Sequence, residues 1–138
     1  MSYLIDTNVI SELRKGERAD QNVVRWYATV LDDEIYLSVM VLGELRRGIE
    51  SIRRRDPRTA VVLDNWLNLI STQYESRILH ITPSVVDVWG QLNVPDRLPV
   101  IDGLIAATAH THHLIVVTRN TKDIARAGVR VLNPFVMT

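Results

Sequence analysis

No cysteine occurs among the 138 residues. That excludes disulfides and thiolate catalysis, and it fits a reducing compartment. Long apolar runs are missing as well. None approaches the roughly 20 residues of a membrane span, so no membrane association is expected. Excess charge of either sign is absent, with 16 basic residues against 16 acidic ones. A protein that grips nucleic acid by its overall field carries a basic excess, so contact with RNA or DNA must be local or made through a partner. The opening MSYLIDTNVIS has no basic segment and carries an acid inside its short apolar run, which is not the pattern of a secretory signal. A cytoplasmic protein is expected. Repeats, low-complexity tracts and linkers are lacking too, so residues 1–138 read as a single domain. With 46% hydrophobic residues that domain has material for a core.

Strand-like and helical segments alternate along the chain. Short apolar runs at 3–5, 35–37, 78–81, 114–118 and 129–132 predict strands. Helical spacing and capping residues predict helices at 7–13, about 22–31, 39–53, 57 to about 74, 83 to about 92, 101–112 and 123–127. Residues 16–20 form a polar break, and 93–99, with two prolines, a loop. Such alternation predicts a three-layer α/β/α domain around a mostly parallel sheet of four to five strands. In sheets of that kind ligands sit at the carboxyl ends of the strands.

Acidic residues fall where that rule looks for them. Asp6 follows the first strand directly. Glu44 lies at the border of a buried stripe formed by Val41, Leu45, Gly48, Ile49 and Ile52. Asp102 heads a helical face otherwise made of Ile105, Ala106 and Ala109, and the small residues around it predict close packing on the sheet. After the strand at 114–118 comes the polar run Arg119-Asn120-Thr121-Lys122-Asp123, with oxygen donors at Asn120 and Asp123. Each has an ordinary explanation: a helix cap for Asp6, Asp102 and Asp123, an ion pair with Arg47 for Glu44, an Asx turn for Asn120. Taken together, three acids and a further oxygen donor, without cysteine or histidine in the motifs, form a set suited to Mg²⁺ or Mn²⁺ rather than zinc. An ion with open positions serves phosphodiester hydrolysis by activating water and neutralising charge.

IDTNVISEL at 5–13, VLGELRRGI at 41–49, DGLIAATA at 102–109, VVTRNTKD at 116–123 and the late LNPF at 132–135 together resemble the PIN-domain ribonucleases. More narrowly they resemble the VapC/FitB-like toxins of type II toxin–antitoxin modules. The likeness spans nearly the whole chain. It implies an endoribonuclease dependent on Mg²⁺ or Mn²⁺, with metal ligands at Asp6, Glu44 and Asp102 and a fourth position at Asn120 or Asp123. Relatives place an acid at the position of Asn120 or three residues later. Here only Asp123 carries the charge, so either Asp123 supplies the fourth carboxylate or a second metal is expected to bind weakly. Thr7 and Thr118 match hydroxyls that line the pocket and contact substrate. The likeness further implies a homodimer, an inhibitory antitoxin and indirect contact with promoter DNA through it.

Other features are read from the residues alone. Arg119, beside the pocket, is a candidate phosphate contact. Arg46, Arg47, Arg53, Arg54, Arg55 and Arg58 form a basic patch, either a solvated helix face or an RNA contact. His110, His112 and His113 lie at a helix end without a fourth ligand, so no zinc site is expected. Trp26, Trp66 and Trp89 belong to the core or a partner surface. Two rival functions are a non-catalytic PIN-like module that binds a partner, and a haloacid-dehalogenase-like phosphatase. The second needs an acid where Asn8 stands.

Overall fold

The protein is described by a computed structural model over residues 1–136. Its first strand, β1 (Tyr3–Ile5), leads into α1 (Thr7–Leu13), and α2 (Gln21–Ala28) follows a short turn. Next come β2 (Ile35–Ser38), α3 (Val39–Arg53), α4 (Pro57–Gln73) and β3 (Ile78–Leu79). The second half runs α5 (Pro83–Leu92), α6 (Val100–His112), β4 (Ile115–Val117), α7 (Thr121–Ala125) and β5 (Val131–Leu132). All strand pairs are parallel, in the order β3-β2-β1-β4-β5. Leu4, Ile5, Val116 and Val117 are fully buried. That is why these strands read as unbroken apolar runs, since helices cover both faces of a parallel sheet.

The strand order fixes the site. From β1 the chain moves outward through β2 to β3, then crosses back to lay β4 on the other flank of β1. The order therefore reverses between β1 and β4, and the crevice beyond their carboxyl ends is where an open parallel sheet binds ligands. Register brings the two ends level, with Ile5 opposite Val117. The Asp6 backbone N–H continues the ladder to the Val117 carbonyl at 2.9 Å.

Several elements are shorter than the sequence predicts. The second helix stops at Ala28 rather than near residue 31. There the Thr29 hydroxyl donates back to the Trp26 carbonyl (2.6 Å), and Glu34 accepts the Leu31 N–H (2.8 Å). These local side-chain bonds compete with the helical ladder. The strand expected over 78–81 is only Ile78–Leu79, and the last strand only Val131–Leu132. Both are edge strands, where one neighbour alone sustains the extended form. The short helix expected at 123–127 is Thr121–Ala125, which removes Asp123 from the cap and puts it in the first turn.

Helix α6 is buried almost all round. Gly103, Ile105, Ala106, Ala107, Thr108 and Ala109 are all buried, so the single apolar face expected there is too narrow a description. Helix α5 covers the remaining side. Trp89 lies so close that a β-carbon at Gly103 would stand 3.1 Å from its Nε1. Trp26 and Trp66 are partly buried against the core.

Candidate active site

Asp6 is the best anchored of the acids. It caps α1, accepting the Thr7 N–H at 2.8 Å on Oδ1. Its Oδ2 accepts the Thr118 hydroxyl at 2.7 Å and an Asn8 amide hydrogen at 3.4 Å. It is 4% exposed. The capping explanation is thus correct but incomplete, because the second oxygen faces β4 across the reversal of strand order. Thr118 is wholly buried. Its oxygen receives the Asn120 N–H (3.0 Å) and the Asn8 Nδ2 (3.2 Å), so its own proton is committed to Asp6.

Glu44 arrives from the second turn of α3. The Thr7 hydroxyl donates to its Oε1 at 2.5 Å, tying α3 to the start of α1. Arg47 is its structural alternative, at 3.9 Å from Oε2, but that side chain is 79% exposed. So distant and solvated a pair contributes little, and the second oxygen stays available.

Asp102 enters from the first turn of α6 and is the electrostatically unusual member. Its carboxyl is pushed up to about 6, first by burial and then by the negative charges of Asp6, Asp123 and Glu44. Donation from Asn120 Nδ2 to its Oδ2 at 2.9 Å pulls the other way. Asp6, Glu44 and Asp123, from three other segments, therefore stand near enough for their charges to reach Asp102. Asp123 completes the group while pairing with Arg126 at 3.2 Å.

Among the described residues, no three acid or histidine side chains converge tightly enough to hold an ion unaided. The donor set nevertheless suits a hard divalent cation. All its atoms are oxygens, the group carries mutual repulsion that such a charge relieves, and a small hard ion keeps several waters and takes only one or two carboxylates. Asn120 stands at the fourth position with its amide hydrogens turned to Asp102.

The PIN domain model matches residues 3–129. The chain belongs to the PIN-domain family. Among relatives, this PIN domain is 33% identical over 138 residues to a VapC ribonuclease of Sinorhizobium fredii, covering 96% of each chain. It is 31% identical over 137 residues to toxin FitB of Neisseria gonorrhoeae, covering 96% of this chain and 97% of that one. A solved structure of FitAB bound to a DNA fragment superposes with TM-score 0.88 at 30% identity, over 99% of this chain and 97% of that one.

Not every expected residue joins the PIN-domain site. Arg46 and Arg53 are taken up by Glu50 and Asp64 at 2.7–3.0 Å, so two members of the basic patch belong to a surface network. Arg47, Arg54, Arg55 and Arg58 are exposed. Among the described residues the histidines form no metal-holding group, and His113 instead closes α6 in the left-handed conformation (φ 57°). Two residues with no place in the sequence-based site belong to its surroundings. Asn8 bridges Asp6, Thr118 and the Arg119 backbone N–H. Glu12 lies 3.9 Å from the Arg119 guanidinium. Glu12 had a legible signal: three residues after buried Val9, it places a carboxylate on the apolar face of α1, the anomaly that marks Glu44.

Proposed function

We propose that this PIN domain cleaves RNA at the crevice between β1 and β4, as the toxin of a type II toxin–antitoxin module, with Asp6, Glu44, Asp102 and Asp123 as metal ligands. The observation that carries the reading is that Asp102, raised to about 6 first by its burial, also feels the charges of Asp6, Asp123 and Glu44 where the strand order reverses. The VapC and FitB relatives support the ribonuclease and toxin assignment, and the DNA-bound FitAB assembly supports a partner that carries DNA contact. A cognate antitoxin is the inhibitor, a homodimer the working form, and the cytoplasm the compartment. Residues 1–138 act as one domain.

Mg²⁺ or Mn²⁺ is the ion proposed. When bound, it supplies an acidified water and neutralises charge on the phosphodiester. The chain's own residues do the positioning. Thr118 and Asn8 orient Asp6, Thr7 orients Glu44, and Asn120 orients Asp102, so the acids are preset before substrate arrives. Thr7 also brings a hydroxyl to the crevice, whereas Thr118 is wholly buried and acts through Asp6. Arg119 is the proposed phosphate contact.

Incubating total RNA with wild type and Asp6→Asn, with and without Mg²⁺ or Mn²⁺, tests the reading. Metal-dependent cleavage by the wild type alone supports it. Equal cleavage by both proteins, or by neither, rejects it. A non-catalytic partner-binding module is the reading that the second outcome would favour.

A further inference from the structure

Arg119 is exposed yet held. It stands between Thr118, bonded to Asp6, and Asn120, bonded to Asp102, so its side chain leaves the rim of the acid crevice. Its guanidinium carbon lies 3.9 Å from the centroid of the Phe135 ring, and its Nη2 lies 3.9 Å from Glu12 Oε1. The side chain keeps 59% of its exposure. Among the described residues its guanidinium donates no hydrogen bond within 3.5 Å, so its edges are free while one face is covered.

Both neighbours are themselves fixed. Glu12 is 8% exposed and accepts Lys15 Nζ at 3.0 Å and the Asp20 N–H at 2.8 Å. Lys15 thereby meets the Glu12 charge, and the charge of Arg119 stays largely uncompensated. Phe135 is pinned on both sides of its peptide. Its N–H donates to Asn133 Oδ1 (3.0 Å), and its carbonyl accepts Asn22 Nδ2 (2.9 Å). An arginine with no task needs no aromatic plate reached from the far end of the chain.

We infer that Phe135 is a positioning residue that holds Arg119 as a contact for an RNA phosphate next to the one cut; this rests on the ribonuclease reading. Charge decides between a phosphate and a stacked base. The neighbouring acids repel RNA, and a chain of zero net charge must offset that with a cation placed beside them. A guanidinium fixed by one face presents the planar donor edge that a phosphate takes in two hydrogen bonds. Preorganising it lowers the ordering cost of binding.

The test separates binding from cleavage. In the non-cleaving Asp6→Asn protein, binding of a fluorescent mixed-sequence single-stranded RNA is followed by anisotropy across a KCl series at fixed Mg²⁺. Arg119→Ala is expected to weaken binding about tenfold and to flatten the logarithmic salt slope by about 0.7, the signature of one single-strand phosphate. Phe135→Leu is expected to weaken binding severalfold and to add nothing to Arg119→Ala in the double variant, while Phe135→Tyr binds as the parent does. An unchanged salt slope in Arg119→Ala overturns the phosphate assignment in favour of base stacking. Additive losses in the double variant overturn the positioning role. Should Phe135→Leu fail to fold, Arg119→Lys decides: it keeps the charge without a planar face for Phe135, so parent-like affinity overturns the role and weakened binding upholds it. Because no cleavage is read, failure of the ribonuclease reading appears only in the total-RNA assay.

Discussion

At the scale of single residues, the site rests on short bonds between side chains remote in sequence. Asp6 has both oxygens occupied by chain donors, so Asp6→Asn removes charge while keeping a capping group. RNA cleavage should fall below detection, and the melting temperature should fall too, because the amide oxygen keeps the cap but its nitrogen offers Thr118 a donor in place of an acceptor. Thr118 carries more structural weight, since its buried hydroxyl gives one bond and receives two. Thr118→Val strands those partners, and chemical denaturation should show a loss of about 1–3 kcal/mol. Thr118→Ser, which keeps the hydroxyl, should recover most of it. Sequence reasoning singles out Asp6, Glu44, Asp102 and Asp123 as candidates, because an acid beside an apolar stripe or after a buried strand is an anomaly visible in one dimension. It does not find the bonds of Asn8, whose three partners lie just past β4 and at the head of α1.

At the scale of elements, two junctions set how the acids are presented. Helices α5 and α6 meet where Trp89 lies against Gly103, the residue after Asp102. A methyl group at Gly103 forces the indole or the helix to shift by a few tenths of an ångström. Gly103→Ala should therefore destabilise by about 1–3 kcal/mol, measured by urea unfolding, and Gly103→Ala with Trp89→Leu should be more stable than Gly103→Ala alone. The second junction joins α1 to the start of α2 through Glu12. The Lys15 hydrogen bond, then the Asp20 N–H, hold its carboxyl below the usual range. A carboxyl lowered in the folded state adds stability above its unfolded value of about 4.3, and that stability is lost as pH falls through the lowered value. Melting temperatures from pH 6 down to pH 3 should accordingly fall less steeply in Glu12→Gln than in wild type. An unchanged slope would remove Glu12 from the acid sensitivity of the fold.

At the scale of the whole molecule, the ion is expected to act as a staple. The acids come from α3, from α6, from the segment after β4 and from the turn after β1, so an ion binding the folded chain alone stabilises it by mass action. At 100 times the dissociation constant the gain is about 2.7 kcal/mol. Wild type should melt several degrees higher in Mn²⁺, and a variant with Asp6→Asn and Asp102→Asn should not respond.

Local chemistry determined much of this protein. Buried strands alternate with helices that carry their own caps, so a parallel α/β sheet and the positions of its acids are legible in sequence, where periodicity and capping act within a few residues. The edge strands and the end of α2 are not, because the number of neighbours and side-chain bonds across turns shorten them. The sequence reading put these acids after strands or on flanking helices, and the reversal of strand order between β1 and β4 decided where the ends of those two strands meet. Tertiary structure alone decided that the Asn120 amide donates to Asp102. It also decided that Phe135, more than a hundred residues from α1, lies under Arg119. Electrostatic and packing energies depend on distance in space, and in a crossed-over sheet that distance bears no fixed relation to distance along the chain.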